Sequence, residues 1–265
     1  MKHPNFLTAS QCAEDVLANI PDHWNGSLIN YAESLRSAFA NFSPVFTQEH
    51  YADFYLACAS QDPAWIPSNV LANARKESDG SRLLYELWRR VRDNLLLEDD
   101  IMLHIRDEIR HSKLFISLAE LAYPDIAGQP FVTQLRKELF ALDSAEISKD
   151  TAILTEAHIV DHLVQMNLGE IRTRVHISLI APLISAFTPE MNRPKVQKLL
   201  ASLVDDETSH IAYTAKHLEA MLPGIGSEAM NQLFTRRLRD LHQYTLDETT
   251  EAVAEHAPNM ANSFQ

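Results

Sequence analysis

The chain has 265 residues, of which 46% are hydrophobic, and its formal net charge is −13. This hydrophobic content is typical of a globular protein with a substantial core. The presence of only 6 glycines disfavours Gly-rich phosphate loops, and the acidic charge disfavours nucleic acid as a partner because binding phosphates requires clustered Lys and Arg.

The N-terminal part of the chain, residues 1–66, is predicted to form two or three helices. Helical patterns cover Ser27 to Phe42 and Thr47 to Ser60, with a break at Pro44. Another helical pattern covers Ser227 to His256. These segments are expected to pack on a central core formed by residues 68–222.

Four long helical patterns make up this predicted core. They are segment A (68–94), segment B (98–123), segment C (150–187) and segment D (194–222). Asp79-Gly80 weakens the pattern in the middle of segment A, and a shorter helix is predicted from Phe131 to Leu142. No stretch shows the alternation of a β-strand. The fold class is therefore predicted to be all-α, with one domain in which the four segments form a four-helix bundle.

The cysteine count and the apolar runs bear on the location of the protein. Two cysteines, Cys12 and Cys58, are too few for a disulfide framework or a four-cysteine metal site, and Cys58 in its apolar helical stretch is predicted to be a buried thiol. The start of the chain has no apolar signal-peptide region. The longest apolar run, 177–187, is too short to span a bilayer, so no membrane partner and a cytoplasmic location are expected.

Segments B and D carry the same motif, Asp-Glu-x-x-His. It occurs as Asp107-Glu108-Ile109-Arg110-His111 and as Asp206-Glu207-Thr208-Ser209-His210. Residues three positions apart share a helix face, so each Glu and His can bind one cation together. One such pair in a chain with 12 histidines is unremarkable, but both pairs lie on apolar stripes, where an ionisable group is costly unless it is paired or metal-bound. The pattern predicts a shared metal site.

A di-iron carboxylate bundle also needs a lone Glu on each of the other two helices. Segment C offers Glu170, at nearly the same height as Glu207 across an antiparallel C–D hairpin, with Glu156 as the alternative. Segment A offers Glu77, on the apolar stripe of Val70 and Ala74. The alternative on segment A is Glu86, which is flanked by Arg82 and Arg90 as in a solvated ion-pair face.

His104 shares a helix face with Glu108 and His111. It is interpreted either as an additional iron ligand or as a core histidine beside the site. No catalytic residue is assigned beyond the metal ligands, and no binding site for an organic cofactor is predicted. The ions are expected to be iron, with manganese as the alternative.

The stretch from Arg106 to Phe115 resembles the iron-binding helix of the p-aminobenzoate N-oxygenase family, in which an acidic pair, Arg-His-Ser and a Phe recur. Asp206-Glu207-Thr208-Ser209-His210 is similar to the last ligand helix of that family. The resemblance covers these helices and the layout of residues 68–222. It implies a ferritin-like fold, a di-iron centre, dioxygen as co-substrate and N-oxygenation of a substrate amine. The family's extra His before the last Glu is replaced here by Leu203, whereas His104 holds the equivalent position on segment B.

The resemblance leads to the expectation of a non-haem di-iron oxygenase, a monooxygenase of secondary metabolism. Its partners would be a small-molecule substrate, such as an amine or an amino acid, and an external electron donor. The oligomeric state is left open, with a homodimer as one alternative. The other functions considered are a haem-oxygenase-like di-iron oxidase, another ferritin-like hydroxylase or desaturase, and a non-catalytic iron-binding or scaffold protein.

Overall fold

The computed structural model describes residues 5–24, 26–62, 64–91, 94–144 and 152–256, and these residues form helices and connecting turns without a β-strand. The predicted all-α class is confirmed. Within the described ranges, every helix falls short of the length or the apolar character that crossing a bilayer requires. The α-helices of these ranges are α1 (Ala9–Asn19), α2 (Ile29–Asn41), α3 (Glu49–Gln61), α4 (Trp65–Trp88), α5 (Leu95–Ala122), α6 (Pro130–Glu138), α7 (Glu156–Phe187), α8 (Arg193–Ile225) and α9 (Ser227–His256).

The helices differ from the prediction in three places. α7 begins later than the predicted start at Asp150, which lies outside the described residues, because Thr155 is extended and its hydroxyl accepts a hydrogen bond from the His158 N–H at 3.4 Å. α1 was not located from the sequence, although Thr8 and Gln11 form a capping box at its start. α4 runs without a break through Asp79-Gly80, where the sequence pattern was weak.

The helices divide into two compact units. Unit 1 comprises Met1–Trp65, Val160–Leu183 and Val204–Gln265, and unit 2 comprises Ile66–Ile159 and Ile184–Leu203. The expectation of one domain, with additional N- and C-terminal helices packed on a 68–222 core, stays a prediction.

Unit 1 has a core of large apolar side chains from α2 and α9. Tyr31, Leu35, Phe39, Phe234 and Leu238 are all at most 1% exposed. The rings of Tyr31 and Phe234 meet edge to face, with their centroids 5.9 Å apart. Full burial of one such side chain stabilises the fold by about 1.5–3 kcal/mol. This core fixes α2, and with it the Tyr31 hydroxyl, in unit 1.

A carboxylate from α8 caps the start of α2. Leu28, the residue before α2, has no side chain that can accept a hydrogen bond. Glu219 supplies the acceptor instead, because its carboxylate accepts hydrogen bonds from the backbone N–H groups of Asn30 at 3.3 Å and Tyr31 at 2.7 Å. A negative charge at this position also matches the helix dipole. Glu219 therefore links α8 to α2 within unit 1.

Unit 2 has its core on the facing surfaces of α4 and α5. Val70, Ala74 and Ile101 are at most 1% exposed. The backbone N–H of Phe140, in the segment after α6, donates a hydrogen bond to the Ser78 hydroxyl of α4 at 2.7 Å. Burial and this cross-link hold α4 in place, and α4 carries one of the predicted ligands.

Candidate metal centre

Both Glu-x-x-His pairs lie in the middle of long helices and are buried. Glu108 and His111 of α5 are 6% and 0% exposed, and Glu207 and His210 of α8 are 0% and 3% exposed. The three-residue spacing places each Glu and its His on one helix face. Because an ionisable group is costly to bury without a counter-charge or a metal ion, the burial of both pairs makes them candidate metal ligands.

Unit 2 contributes a first set of ligand-type side chains. The Nδ1 atom of His111 lies 3.5 Å from Oε1 of Glu108 and 3.6 Å from Oε2 of Glu77. These three residues each offer a ligand atom within 4.8 Å of the others. Glu77 is itself buried, at 8% exposed. The structure thus brings Glu77 of α4 together with the pair on α5, and we call Glu77, Glu108 and His111 the unit 2 set.

His104 adds a second imidazole beside the unit 2 set. It precedes Glu108 by one helical turn on α5 and is 1% exposed. Its Nε2 atom lies 3.4 Å from Oε1 of Glu108. The helix face predicted to carry His104, Glu108 and His111 is therefore present in the structure, with the Glu108 carboxylate facing both imidazoles.

The two carboxylates of unit 2 differ in their tendency to ionise. Burial, and then the negative charge of Glu108, raises the pKa of Glu77 well above its usual range. Burial also opposes the ionisation of Glu108, but hydrogen bonds from His104 and His111 outweigh it and hold the pKa of Glu108 well below its usual range. Without a cation, these opposite shifts favour the protonated form of Glu77 and the ionised form of Glu108. A metal ion would displace this proton, since carboxylates bind metal in their ionised form.

Gly80 leaves room for the Glu108 carboxylate beside α4. A Cβ atom at position 80 would lie 3.2 Å from Oε2 of Glu108, closer than ordinary van der Waals contact. A glycine within a helix costs about 1 kcal/mol relative to alanine. The weak point in the helical pattern of segment A is therefore the place where α4 passes close to a candidate ligand, a role that sequence reasoning did not assign.

Glu86, the alternative ligand on α4, has a different environment. Its side chain is half exposed, and both carboxylate oxygens accept hydrogen bonds from Arg89, at 2.9 Å and 3.0 Å. The predicted ion-pair face exists, but the partner is Arg89 and not Arg82 or Arg90. The Arg89 side chain packs over the Tyr85 ring, which brings its guanidinium to this carboxylate.

Substitution on α4 can test which of the two carboxylates binds metal. We expect Glu77→Gln to weaken iron binding by at least about tenfold, because an amide cannot supply an anionic oxygen. Glu86→Gln, the matched control on the same helix, should leave the affinity unchanged. Anaerobic titration of the metal-free protein with ferrous iron measures both. A loss of affinity in Glu86→Gln but not in Glu77→Gln would reverse the assignment.

Unit 1 contributes a second set, from α7 and α8. The Nδ1 atom of His210 lies 3.6 Å from Oε2 of Glu207. A carboxylate oxygen of Glu170 lies within 4.8 Å of a ring nitrogen of His210. We call Glu170, Glu207 and His210 the unit 1 set. Glu156, the alternative to Glu170, is exposed in the first turn of α7.

Asn167, which sequence reasoning missed, positions the unit 1 set. It is fully buried on α7, three residues before Glu170. Its Nδ2 atom donates hydrogen bonds to the Ile211 carbonyl at 3.1 Å and to the Thr214 hydroxyl at 2.9 Å, and its Oδ1 atom accepts one from the Tyr31 hydroxyl at 2.9 Å. Ile211 follows His210 directly, so this network fixes the register that places Glu170 near His210.

The contribution of Asn167 can be measured as stability. Asn167→Leu removes one partner from each of three buried polar groups, so we expect the free energy of unfolding to fall by about 1–3 kcal/mol or more. Tyr31→Phe removes only one of these hydrogen bonds and should cost about 0.5–1.5 kcal/mol. Urea unfolding of the metal-free protein provides both values. Equal stability of Asn167→Leu and the wild type would show that the network does not hold the register.

The donor atoms of the two sets are carboxylate oxygens and imidazole nitrogens. Cys12 and Cys58 are free and buried, as predicted for Cys58, and burial raises the pKa of each to about 12. Both therefore remain thiols, which are not the metal-binding form. Hard carboxylate oxygens combined with imidazoles suit iron, and manganese remains the alternative ion. The chemistry of the donor set thus fits the iron that the sequence motif implies.

Comparison with protein-family models, with curated proteins and with solved structures found no match to this chain. Support for a metal centre therefore comes from the chain itself. It consists of the spacing of the two Glu-x-x-His pairs, their burial, and the short distances between ligand atoms within each set.

Proposed function

We propose that the protein is a non-haem di-iron oxygenase, which binds two iron ions and uses dioxygen to oxidise a small molecule. N-oxygenation of an amine in secondary metabolism is the reaction that matches the resemblance of residues 106–115. The observation that carries the proposal is the burial of two Glu-x-x-His pairs, each accompanied by a further carboxylate, in the unit 2 set and the unit 1 set.

Each set has the composition needed for one ion. Two carboxylates and one imidazole balance the two positive charges of ferrous iron and leave coordination positions open. The unit 2 set, Glu77, Glu108 and His111, would hold one ion, and the unit 1 set, Glu170, Glu207 and His210, would hold the other. This equal composition supports a stoichiometry of two irons per chain.

The proposed architecture is a ferritin-like four-helix bundle of α4, α5, α7 and α8. Di-iron proteins of that class draw a Glu-x-x-His pair from each of two helices and a lone Glu from each of the other two. The carriers here are α5 and α8 for the pairs, α4 for Glu77 and α7 for Glu170. The agreement in ligand type on all four helices is what supports this architecture.

His104 is proposed as an additional iron ligand beside Glu108. The corresponding position on α8, four residues before Glu207, is Leu203. The two ions would therefore have unlike surroundings, one with two imidazoles and one with a single imidazole. An additional imidazole would add electron density without adding negative charge, so the ion beside His104 would be the less electrophilic of the two.

When bound, iron supplies electrons to dioxygen and open positions at which a substrate oxygen or nitrogen can approach. The protein's own residues would control the protonation of the ligands and the access of water. The raised pKa of Glu77 favours a proton on its carboxyl group in the absence of a cation. Ile101 and Ile105, which neighbour His104 in the sequence of α5, are both 0% exposed, and this burial limits the access of water. The proposed partners are a small-molecule amine or amino acid and an external electron donor.

Three measurements test the proposal in sequence. Anaerobic reconstitution is expected to give about two irons per chain. The ferrous protein should then consume dioxygen, and incubation with a panel of aromatic amines and amino acids should yield hydroxylamine, nitroso or nitro products detectable by mass spectrometry.

The other results would select a different function. Hydroxylated or desaturated products would favour the haem-oxygenase-like or hydroxylase alternatives. Iron binding without dioxygen consumption would indicate a non-catalytic iron-binding protein. Failure to bind iron at all would refute the proposal.

A further inference from the structure

Two tyrosines and a histidine in unit 1 form a hydrogen-bonded chain that the proposed metal sets do not use. The hydroxyl oxygens of Tyr51 and Tyr55, on α3, are 2.9 Å apart. The Tyr55 hydroxyl oxygen lies 2.5 Å from Nδ1 of His176, on α7. Tyr51 and Tyr55 are 4% and 3% exposed. We call Tyr51, Tyr55 and His176 the tyrosine relay.

The ring of Tyr55 packs among aromatic side chains, and the charges of Arg172 and Glu248 lie near enough to act on both tyrosines. The Tyr55 ring meets Trp65 edge to face at 5.5 Å and His176 at 5.3 Å between ring centroids. Phe54 closes the group, at 5.7 Å from Trp65. Such packing excludes water from the Tyr55 hydroxyl and leaves the side chains of the relay as its hydrogen-bonding partners.

We propose that Tyr55 is a redox-active residue, which loses one electron while its phenolic proton passes to Nδ1 of His176. The O–H bond of Tyr55 breaks and an N–H bond forms on His176. The products are a neutral tyrosyl radical and an imidazolium ion, and the electron goes to a one-electron oxidant. The reverse step returns the proton and restores the phenol when an electron arrives.

The position of the proton acceptor makes Tyr55 suited to this reaction. An oxidised phenol that keeps its proton is a cation, and a cation is costly to hold in an apolar site. His176 lowers that cost because it accepts the proton across a short hydrogen bond and carries the positive charge on a basic ring that is only half-buried. Tyr51 can donate a hydrogen bond to the radical oxygen once the proton has left. Burial, and then Tyr51, raises the pKa of Tyr55 well above its usual range, so the resting residue is a phenol and not a phenolate.

Tyr123 of unit 2 provides the contrast within the same chain. Its hydroxyl oxygen is buried and has no hydrogen-bond partner among the described residues. Its ring stacks on Phe187 with the centroids 5.8 Å apart. Oxidation of Tyr123 would leave a proton with no acceptor, so a buried tyrosine by itself does not meet the requirement that Tyr55 meets.

The biological role of this inference rests on the proposed function. His176 follows Glu170 by six residues on α7, about 9 Å along the helix axis. An electron can cross that distance, so the relay could reduce an iron centre that dioxygen has oxidised in the absence of substrate. Tyr55 would then store the oxidising equivalent away from the ligands until a reductant discharges it.

The test uses an external oxidant, so it does not depend on iron. The full-length, metal-free protein is mixed with tris(bipyridine)ruthenium(II), which a light flash and a sacrificial electron acceptor convert to the one-electron oxidant ruthenium(III). Electron paramagnetic resonance (EPR) then records tyrosyl radicals. We expect a long-lived radical in the wild type and in Tyr123→Phe, and a yield at least about tenfold lower in Tyr55→Phe.

Two further variants separate proton transfer from a merely structural role. His176→Gln should shorten the radical lifetime about tenfold, the effect expected from the loss of one strong hydrogen bond. Tyr51→Phe should keep the radical but raise its largest g-value, because the radical oxygen loses a hydrogen-bond donor. Circular dichroism and urea unfolding show whether each variant is folded.

An unchanged radical yield and spectrum in folded Tyr55→Phe would overturn the proposal, and so would an unchanged lifetime in folded His176→Gln. Measurement of bound iron in the same wild-type preparation keeps the two ideas apart. A Tyr55 radical in a protein that binds no iron would support the relay and refute the proposed function. Iron binding without a Tyr55 radical would do the reverse.

Discussion

Replacing His210 by Ala is expected to remove at least one of the two proposed iron ions. His210 is the single imidazole of the unit 1 set, and the remaining members, Glu170 and Glu207, are carboxylates that cannot replace a nitrogen donor at the same position. Replacing His111 by Ala should have a smaller effect, because His104 still faces Glu108 at 3.4 Å. Loss of both His104 and His111 should then remove the ion of the unit 2 set.

Iron analysis of the reconstituted variants, under matched anaerobic conditions, measures this difference. The control is His158→Ala, which replaces an exposed histidine on α7 and should keep the full iron content. In the triple variant without His104, His111 and His210, bound iron should fall to background. If that variant retained its iron, the two sets would not be the iron-binding residues. If His111→Ala lost as much iron as His104→Ala/His111→Ala, His104 would not be a ligand.

The local part of the candidate centre could be predicted from the sequence because helical periodicity is local. The three-residue spacing of Glu108 and His111, and of Glu207 and His210, places each pair on one helix face whatever the rest of the chain does. The same reasoning identified the face shared with His104. These inferences needed only the knowledge that α5 and α8 are helices.

The choice between alternative carboxylates could not be made in this way. Glu77 and Glu86 both lie on α4, and only tertiary packing separates a buried carboxyl beside His111 from a half-exposed one held by Arg89. On α7, Glu170 is half-buried near His210, whereas Glu156 is exposed. Helix periodicity can only favour one carboxylate over the other. Which of the two is covered by a neighbouring helix depends on the tertiary packing.

Two residues that shape the centre were outside the reach of sequence patterns. Asn167 acts through hydrogen bonds to groups far away in the chain, on α2 and α8. Gly80 weakened the helical pattern for the same reason that it is useful, since the missing Cβ leaves space for Glu108. The helix propensity at position 80 is low because the contact with Glu108 requires a residue without a Cβ atom. A single sequence does not reveal such a contact between distant residues.

The metal-free protein is expected to become more stable when its proposed ligands on α8 are replaced by apolar residues. Glu207 is fully buried and lies between Leu203 and Ile211, which are both 0% exposed on the same face of α8. In Glu207→Leu/His210→Leu, a buried polar pair is exchanged for side chains that match these neighbours. Exchanges of this kind typically change stability by between about 0 and +4 kcal/mol.

With iron bound, the wild type should instead be more stable than Glu207→Leu/His210→Leu. This reversal of the stability order is specific for a metal-binding pair. A ligand at about 100 times its dissociation constant stabilises the folded state by about 2.7 kcal/mol, and the double variant loses that gain for the unit 1 set. Urea unfolding, once with a chelator and once with ferrous iron, gives the free energy of unfolding of the wild type and of the double variant in each condition. Arg172→Leu/Glu248→Leu removes an ion pair of 2.8 Å outside both sets and should leave the iron-dependent gain in stability intact.

If the double variant on α8 instead lost several kcal/mol of stability without iron, Glu207 and His210 would be a structural pair that the fold needs. Their burial would then no longer indicate a metal ion. Tolerance of the exchange without iron, together with loss of the iron-dependent gain, is the combination that only a ligand pair produces.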